Sequence, residues 1–428
     1  RSIGGPSFTL SSEESSGLRS LEAGVRALQR GEINTAVVGA VDLASDIRSV
    51  AGLGEVISDD FIIGEGAAAL ILKRYDDAVE DGDRIYSLIK GFGAASGGET
   101  ASNLPEVCSY EKALERSTLD ADISLDSISL VELCGNSSLA NADREAEVIQ
   151  KLFKNTNREK PCAISRVVDE IGQSGAAGAL ASIVKTSLCL HQRILPSSAK
   201  LNNSKAELQD NSALFTPAAT HYWLRDREAG PRRALVNAFS IDGNCLSAIL
   251  EGVEEQGTTQ IEDPLDSSES LFSICADEKY NLIDSLQRLR AQAGEASDKK
   301  TQDIACDWWE KEKNNQHKTL AVSVIASNKN QLVDLLKQAQ GFVESDKSIA
   351  TDRLFYVANP LSDKGKIAFV FPGSGSHFIG MGREMSAHWP GLLDHLDEEN
   401  LSLASQFASS RFWTKKSTAN FSHEDYIF

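Results

Sequence analysis

A strand-to-helix turn near the start of the chain could present one side chain for chemistry. Small residues at positions 5–16 lead into an amphipathic pattern whose apolar members are Leu18, Leu21, Val25 and Leu28. Such a turn places a side chain at the amino end of a helix, where the helix dipole stabilises an anion. Here that position holds Glu14. The same sequence also fits a simple helix start, in which Ser12 or Glu13 caps the helix.

A second candidate lies in the last third of the chain. The apolar residues 367–371 predict a buried strand, and a glycine-rich loop and a helix are expected after it. Backbone N–H groups of such a loop can face an oxyanion. The candidate residues there are Gly373, Ser374, Gly375, Ser376 and His377. A generic glycine loop after a strand is the alternative interpretation.

Composition and charge exclude several classes of function. The 428 residues are enough for two or three domains, and the net charge of −19 argues against nucleic acid or an anionic membrane as a general partner. No apolar run reaches 18 residues, so no membrane span is expected. The seven scattered cysteines form no CxxC pair, which predicts neither a zinc site nor a disulfide framework but thiols in a reducing cytosol. The first residues have no signal-peptide features, and the abrupt ends of the sequence suggest a fragment.

Strand-like and helix-like segments alternate over residues 1–253, which predicts a layered α/β fold. The expected strands cover residues 36–41, 67–72, 86–91, 130–134, 234–239 and 247–251. The expected helices cover residues 15–30, 76–80, 143–153 and 175–190. We expect the strand at 36–41 to be buried.

Two further domains are predicted. Residues 254–364 begin with a polar, acidic linker up to residue 270 and continue as a smaller α/β unit, with helices at 280–292 and 330–343 and a strand at 320–326. Residues 365–428 open a new domain with the strand and glycine-rich loop described above.

The turn around Glu14 resembles the nucleophile elbow of the ketosynthases of fatty acid and polyketide synthases, written GPSxxVDTACSSSL. Gly5, Pro6, Ser7, Ser15 and Ser16 match that motif, and the nucleophilic cysteine falls on Glu14. Residues 60–67 resemble the family's DGFVxGEGA, and further matches keep the family's order and spacing to residue 253. The resemblance implies the C-terminal half of a thiolase-like layered fold.

The catalytic positions of that family are replaced in this sequence. The first histidine, in VEAHGTGT, falls on Cys134, and the second, in VKSNIGH, falls on Gln173. The catalytic lysine falls on Val168, and the turn GFGGTNAH is mostly lost at residues 240–247. Condensation needs a thiolate that holds the acyl chain and histidines that stabilise the enolate. The resemblance therefore predicts a degenerate ketosynthase with no intact catalytic residue.

Two residual chemistries stay open. Glu14 could act as a general base in a hydrolase, although a helix amino end makes a carboxylate a weaker base. Cys134 could be a relocated nucleophile, but no histidine of residues 1–253 falls on a catalytic position. Packing is the favoured role for Cys134.

Residues 367–383 resemble the opening VAFVFPGQGSQxxGMG of malonyl and acyl transferases, and residues 271–364 resemble the linker that joins ketosynthase to acyltransferase. The family builds its oxyanion hole partly from the residue after the first glycine, here Ser374. The nucleophile motif GHSxGE does not occur in these 428 residues. The combination most resembles the acyltransferase (B) subunits of bacterial omega-3 polyunsaturated fatty acid synthases.

That resemblance implies acyl transfer between CoA or carrier-protein thioesters, with the ketosynthase-like part as an inactive scaffold. It implies no bound cofactor and no metal, but acyl-CoA or phosphopantetheine-carried acyl substrates. Acyl carrier protein domains and other synthase subunits are the expected partners, with a dimer through the ketosynthase-like domain and a cytoplasmic location. The alternative is a structural partner without chemistry, like a chain-length factor.

Overall fold

The computed structural model describes most of the chain. The residues described are 4–43, 47, 63–99, 104–134, 139–156, 160–197, 213–217, 219–240, 242–254, 269–295, 299–313, 318–360, 365–366, 368–371, 380–383, 385, 390–407 and 413. The chain divides into two compact units, one made of Arg1–Gln260 with His377–Phe428 and the other of Ile261–Ser376. The predicted division into three domains stays a prediction, because compactness alone does not identify a domain.

The first unit alternates helices and strands, as its sequence pattern predicts. Its first half contains α1 (Ser16–Gln29), β1 (Thr35–Leu43), β2 (Glu65–Lys73), α2 (Tyr75–Glu80), β3 (Leu88–Ser96), β4 (Gly98–Glu99), β5 (Leu104–Pro105), α3 (Val107–Ala121), β6 (Leu130–Glu132) and α4 (Leu139–Lys154). Its second half contains β7 (Cys162–Ser165), α5 (Val168–Ile171), α6 (Gly175–Gln192), β8 (Ile194–Leu195), β9 (Leu214–Phe215), β10 (His221–Tyr222), β11 (Arg233–Phe239) and β12 (Asn244–Glu251).

A six-stranded mixed sheet forms the centre of this unit. Its order is β3-β12-β11-β6-β7-β9. Strands β11, β6, β7 and β9 run parallel to one another, whereas β12 pairs antiparallel with both β11 and β3. The central strands read as continuous apolar runs because both faces of the sheet are covered.

Two hydrophobic cores lie on opposite faces of the six-stranded sheet. Helices α3 and α4 pack on one face, where Leu114 and Phe153 meet Ile164 and Leu235. Helices α1 and α6 pack on the other face, where Leu18, Leu21 and Leu180 are buried. The β1–β2 pair then packs on the far side of α1 and α6. The described residues therefore form α, β, α and β layers in that order.

Strand β1 is half-buried rather than buried, which corrects the expectation for residues 36–41. Its side chains alternate between the core and solvent, and the same alternation runs along its antiparallel partner β2. Val37 is 71% exposed and Ile71 is 76% exposed, whereas Val38 is buried. Only one face of this pair is covered by described residues, and period-two side-chain alternation exposes the other face.

Helix α1 approaches α6 so closely that one position needs a glycine. A Cβ atom at Gly17 would lie 2.5 Å from the carbonyl oxygen of Ala176. The amino end of α6 is tied to β1, because the Ala176 N–H donates to Asp42 Oδ2 at 2.9 Å. Gly175, with φ at +45°, makes the turn that allows this bond.

The second unit is a small α/β layer pair. It contains β13 (Ser270–Ala276), α7 (Lys279–Glu295), α8 (Thr301–Glu312), β14 (Leu320–Ala326), α9 (Lys329–Glu344), β15 (Ile349–Ala350) and β16 (Leu354–Tyr356). The strands form an antiparallel sheet of order β13-β14-β16-β15. Leu282, Leu336 and Trp308 lie in its core, and the Trp308 indole N–H donates to the Ser273 carbonyl at 2.9 Å.

Most predicted elements are present, with shifted ends and some omissions. The elements that were not predicted are the helices α3, α5 and α8 and the strands β4, β5, β7 to β10, β13, β15 and β16. The strand expected at 86–91 begins two residues later and runs to Ser96. Two further α-helices of the described residues are α10 (Pro390–Glu399) and α11 (Leu403–Phe407).

The prediction of a strand at residues 367–371 is wrong for residues 368–371, the part of the segment that the structure describes. Residues 368–371 form no strand, and the side chains of Phe369, Val370 and Phe371 are each more than 80% exposed. No described strand pairs with this segment, and an apolar run cannot hold a strand conformation without a neighbouring strand.

We predict opposite effects for two glycine-to-alanine changes in helices. Gly17→Ala should lower the free energy of unfolding by about 1–3 kcal/mol, because its methyl group meets the backbone of α6. Gly341→Ala, in α9, has no atom within 4 Å of its new Cβ and should raise it by about 0.5–1 kcal/mol. Urea denaturation measures both free energies, each from the unfolding transition of the unit that contains the substituted glycine. Equal effects of the two changes would contradict the close packing of α1 on α6.

Candidate functional site

The turn before α1 is sharp and strained, as an elbow requires. The Ser15 and Ser16 amides donate to the carbonyls of Ser12 and Glu13 at 3.0 and 3.1 Å. Glu13 has φ at +43°, in the left-handed region that is costly for a residue other than glycine. Glu14 therefore lies directly before the N-cap residue, which is Ser15. This corrects the simpler expectation that Ser12 or Glu13 is the cap.

Serine hydroxyl groups hold the elbow in place. The buried Ser15 hydroxyl donates to the Ser12 carbonyl at 2.7 Å and lies 2.8 Å from the Ser12 hydroxyl. The Ser240 hydroxyl, which follows β11, donates to the Ser15 hydroxyl at 3.3 Å. The elbow is thus fixed to the end of the central sheet by neutral hydroxyl groups.

The four replaced positions meet at one cavity. Glu14, Cys134, Val168 and Gln173 come from four different parts of the chain, and all four line the same space. The cavity has a volume of about 10 Å³, room for one water molecule. A two-carbon acyl group on a thioester needs several times more space. The structure therefore brings the predicted residues together and leaves little room between them.

Cys134 is poorly suited to act as a nucleophile. Burial, helped by the neighbouring carboxylates of Glu145 and Glu14, raises the pKa of the Cys134 thiol well above its usual value. Its backbone N–H donates to Glu145 Oε1 at 2.9 Å, and its Sγ lies 3.9 Å from the Phe239 carbonyl. A thiol whose pKa is raised carries almost no thiolate at neutral pH. This environment favours packing over catalysis for Cys134.

Gln173 is held through its backbone by the segment that resembles DGFVxGEGA. The Gly64 N–H donates to the Gln173 carbonyl at 2.8 Å, and Ile63 and Gln173 form an isolated parallel bridge. A Cβ atom at Gly64 would lie 2.3 Å from the Ile171 carbonyl, so only glycine fits there. Val168 begins the short helix α5 and brings no titratable group to the cavity.

Asn237 is a cavity residue that sequence reasoning missed. It lies on β11, is 1% exposed, and its Oδ1 accepts a hydrogen bond from Ser247 at 2.9 Å. Its Nδ2 has no hydrogen-bond partner among the described residues. A polar residue within the apolar run of a buried strand was the signal that could have identified it.

A buried ionic group beside the cavity was also missed. Lys185, on α6, lies 3.1 Å from both carboxylate oxygens of Glu132, and Ser165 donates to the same carboxylate. Burial raises the pKa of Glu132, although Lys185 and Ser165 act in the opposite direction. Because a buried charge is stable only when it is paired, this group fixes α6 to β6 and β7.

The glycine-rich loop with Gly373, Ser374, Gly375, Ser376 and His377 lies outside the described residues. In the described part of the chain, no group of three His, Cys, Asp or Glu residues could hold a metal ion. Among the same residues, no helix is both long and apolar enough to cross a membrane.

Two family models match this chain. Residues 2–78 match the β-ketoacyl synthase N-terminal domain, and residues 86–202 match the β-ketoacyl synthase C-terminal domain. These two segments are therefore similar to the N- and C-terminal ketosynthase domains of the fatty acid and polyketide synthase superfamily. Glu14, Cys134, Val168 and Gln173 all lie within them.

Curated relatives extend the similarity along the chain. The phthioceranic/hydroxyphthioceranic acid synthase of Mycobacterium bovis is 26% identical over 405 residues, which covers 89% of this chain and 18% of that protein. The pikromycin polyketide synthase component PikAIII of Streptomyces venezuelae is 26% identical, which covers 89% of this chain and 24% of that protein. The chain thus spans about a fifth of the length of these relatives.

Solved structures identify the fold. The ketosynthase from module 6 of the bacillaene synthase of Bacillus subtilis superposes with a TM-score of 0.55 at 23% identity, covering 83% of this chain and 62% of that one. An oxazolomycin ketosynthase domain of Streptomyces albus gives a TM-score of 0.55 at 19% identity. The layered α/β arrangement is therefore the thiolase-like fold of ketosynthases, as the sequence resemblance implies.

We predict that Cys134 resists alkylation. With iodoacetamide at pH 8, Cys134 should react at least about tenfold more slowly than the exposed Cys108, because burial suppresses its thiolate. Mass spectrometry of tryptic peptides measures both residues in one sample. Raising the pH to 9 should leave Cys134 slow, since its raised pKa stays above that pH. Reaction of Cys134 as fast as Cys108 would contradict the described environment.

Proposed function

We propose that this chain is part of a fatty acid or polyketide synthase subunit whose ketosynthase-like unit is a scaffold without condensing chemistry. One observation carries the proposal: the positions of the nucleophile, both histidines and the lysine are occupied by Glu14, Cys134, Gln173 and Val168, which surround a cavity of about 10 Å³. These four residues provide neither a catalytic group for acyl transfer nor space for an acyl chain.

The chemistry of each group supports this role. A carboxylate such as Glu14 is a poor acyl carrier, because the mixed anhydride would hydrolyse. Polarising a malonyl carbonyl and stabilising an enolate require hydrogen-bond donors placed at the developing charge. Gln173 and Asn237 carry amide donors, and the one carboxylate among the residues that line the cavity is Glu14, which a helix amino end makes a weaker base. Decarboxylation is therefore excluded from the proposed role together with condensation.

The proposed activity of the whole protein is acyl transfer between CoA or carrier-protein thioesters in polyunsaturated fatty acid synthesis. Residues 271–364 and 365–428 would then be the linker and the start of an acyltransferase, with Ser374 contributing a backbone N–H to its oxyanion hole. An alignment that covers 89% of the chain extends past residues 1–253, which supports continued similarity to synthases there. We propose kinship with the acyltransferase subunits of bacterial omega-3 synthases on the motif residues alone.

Partners and substrates follow from the same proposal. The ketosynthase-like unit would dimerise and work with acyl carrier protein domains and other synthase subunits, in the cytoplasm. Acyl-CoA or phosphopantetheine-bound acyl groups would be the substrates. A structural partner of an active ketosynthase, like a chain-length factor, is the second candidate, because a retained fold around a closed site fits it equally well. A GHSxG motif in the same polypeptide favours the acyltransferase.

We predict that the chain takes up no acyl group in its ketosynthase-like unit. Incubation with radiolabelled acyl-CoA should leave residues 1–253 unlabelled. Glu14→Cys should restore a thiol at the elbow, yet its labelling should stay at least about a hundredfold below that of an active ketosynthase, because no histidine assists it. Autoradiography of gels measures the bound radiolabel, and peptide mass spectrometry shows which residue carries it.

Glu14→Gln is the matched control for residual hydrolysis. It keeps the size of the side chain and removes its charge, so slow background hydrolysis of an acyl thioester should be unaltered. A loss of hydrolysis in Glu14→Gln would support the hydrolase alternative, and stable thioester labelling of Cys134 would overturn the scaffold proposal.

A further inference from the structure

Four arginines gather where α6 ends and the loop after β10 begins. They are Arg193, Arg225, Arg227 and Arg232. Glu254, which follows β12, lies 2.6 Å from Arg232 Nη1, 3.6 Å from Arg225 and 3.8 Å from Arg193. Helix α10 supplies further acidic partners: Arg193 Nη1 lies 2.8 Å from Asp394 Oδ1, and Arg225 Nε lies 2.9 Å from Asp397 Oδ2. Arg232 Nη2 lies 3.7 Å from the same oxygen of Asp397. The cluster is therefore paired with one face of an acidic helix.

These ion pairs are buried. The side chain of Arg232 is fully buried, and that of Asp397 is 4% exposed. Asp397 Oδ1 has no hydrogen-bond partner among the described residues, so the charge depends on the arginines at Oδ2. The Tyr222 hydroxyl adds a bond to Asp394 Oδ1 at 2.7 Å. Removing one partner from such a group leaves a buried charge uncompensated.

Backbone bonds fix the register of the segment. The Arg227 N–H donates to the Leu401 carbonyl at 2.8 Å, and the Ala404 N–H donates to the Arg225 carbonyl at 3.2 Å. At the start of α11, the Ser405 N–H and hydroxyl donate to the carboxylate of Asp226 at 3.0 and 2.7 Å. These hydrogen bonds, spread from Leu401 to Ser405, hold the segment along the loop at several points.

An apolar cluster completes the contact. Tyr222 and Leu224 pack with Leu393, Leu403 and Trp413, all of which are buried. The Trp413 ring meets the His221 ring edge-on, with centroids 4.9 Å apart. Apolar burial, ion pairs and backbone bonds together resemble a folded interface rather than a chance surface contact.

We propose that the arginine cluster is a docking site for an acidic amphipathic helix, and that its occupant is the chain's own segment of residues 390–407 with Trp413. The ketosynthase-like unit thereby anchors the segment that follows the glycine-rich loop. This deepens the proposed scaffold role by naming what the scaffold holds.

Hydrogen–deuterium exchange on the full chain tests the docking. In the doubly substituted variant Asp394→Asn, Asp397→Asn, amides of residues 393–407 should exchange at least about tenfold faster, because the ion pairs that join α10 to the arginines are lost while Glu254 keeps the arginines paired without α10. Amides of α6 and α7 should be unchanged. Glu399→Gln is the matched control: it makes the same chemical change at an exposed position of α10, and it should leave exchange as in the original chain.

Ser405→Ala is a milder variant in case the double one does not fold. It removes the hydroxyl bond to Asp226 and should speed exchange of residues 403–407 severalfold. Exchange of residues 393–407 at the rate of an unstructured peptide in the original chain would overturn the proposal, and so would no change in either variant. An acyl adduct on residues 1–253 would instead defeat the scaffold function and leave these exchange rates as they are.

Discussion

The close packing of α1 on α6 is the constraint on which the first unit depends. These helices form the layer between the six-stranded sheet and the β1–β2 pair, and their backbones meet at Gly17 and Ala176. Any side chain at Gly17 would separate the helices, because packed interiors have no spare volume. The elbow lies one turn before Gly17, and Gln173 lies just before α6. The contact between the helices therefore also sets the width of the cavity between Glu14 and Gln173.

The structure separates two properties that a functional ketosynthase combines. The positioning parts are intact: the strained turn at Glu13, the glycine contact at Gly64 and the ion pair between Glu132 and Lys185 hold the cavity walls in register. In the proposed scaffold role the reactive parts are not: a carboxylate, a half-buried thiol, an amide and an isopropyl group occupy the positions that the motif resemblance assigns to catalytic side chains. Replacing a few side chains is enough to remove the chemistry of a site. The residues of its walls belong to the core, and replacing them destabilises the fold.

Sequence reasoning predicted the fold where local pattern and motif agreed. The small residues before Leu18 predicted the turn before α1, and the four replaced positions converge on one cavity. It failed where tertiary context decides. The period-two exposure of Val37 and Ile71 depends on what covers the sheet, and the apolar residues Phe369–Phe371 form no strand without a neighbour. Asn237 and the arginine cluster were missed because their partners, Ser247 and Asp397, are not related to them by any short spacing. Burial and pairing across distant segments leave no local signal in a single sequence.

A crystal structure of the chain soaked with a non-hydrolysable acyl-pantetheine amide would test the central claim most directly. The account predicts that the cavity bounded by Glu14, Cys134, Gln173 and Asn237 holds no more than one water molecule at saturating ligand, with the walls unmoved. Ordered density for the acyl amide between Glu14 and Asn237 would contradict it, because the cavity would then open to a substrate and the ketosynthase-like unit would be more than a scaffold.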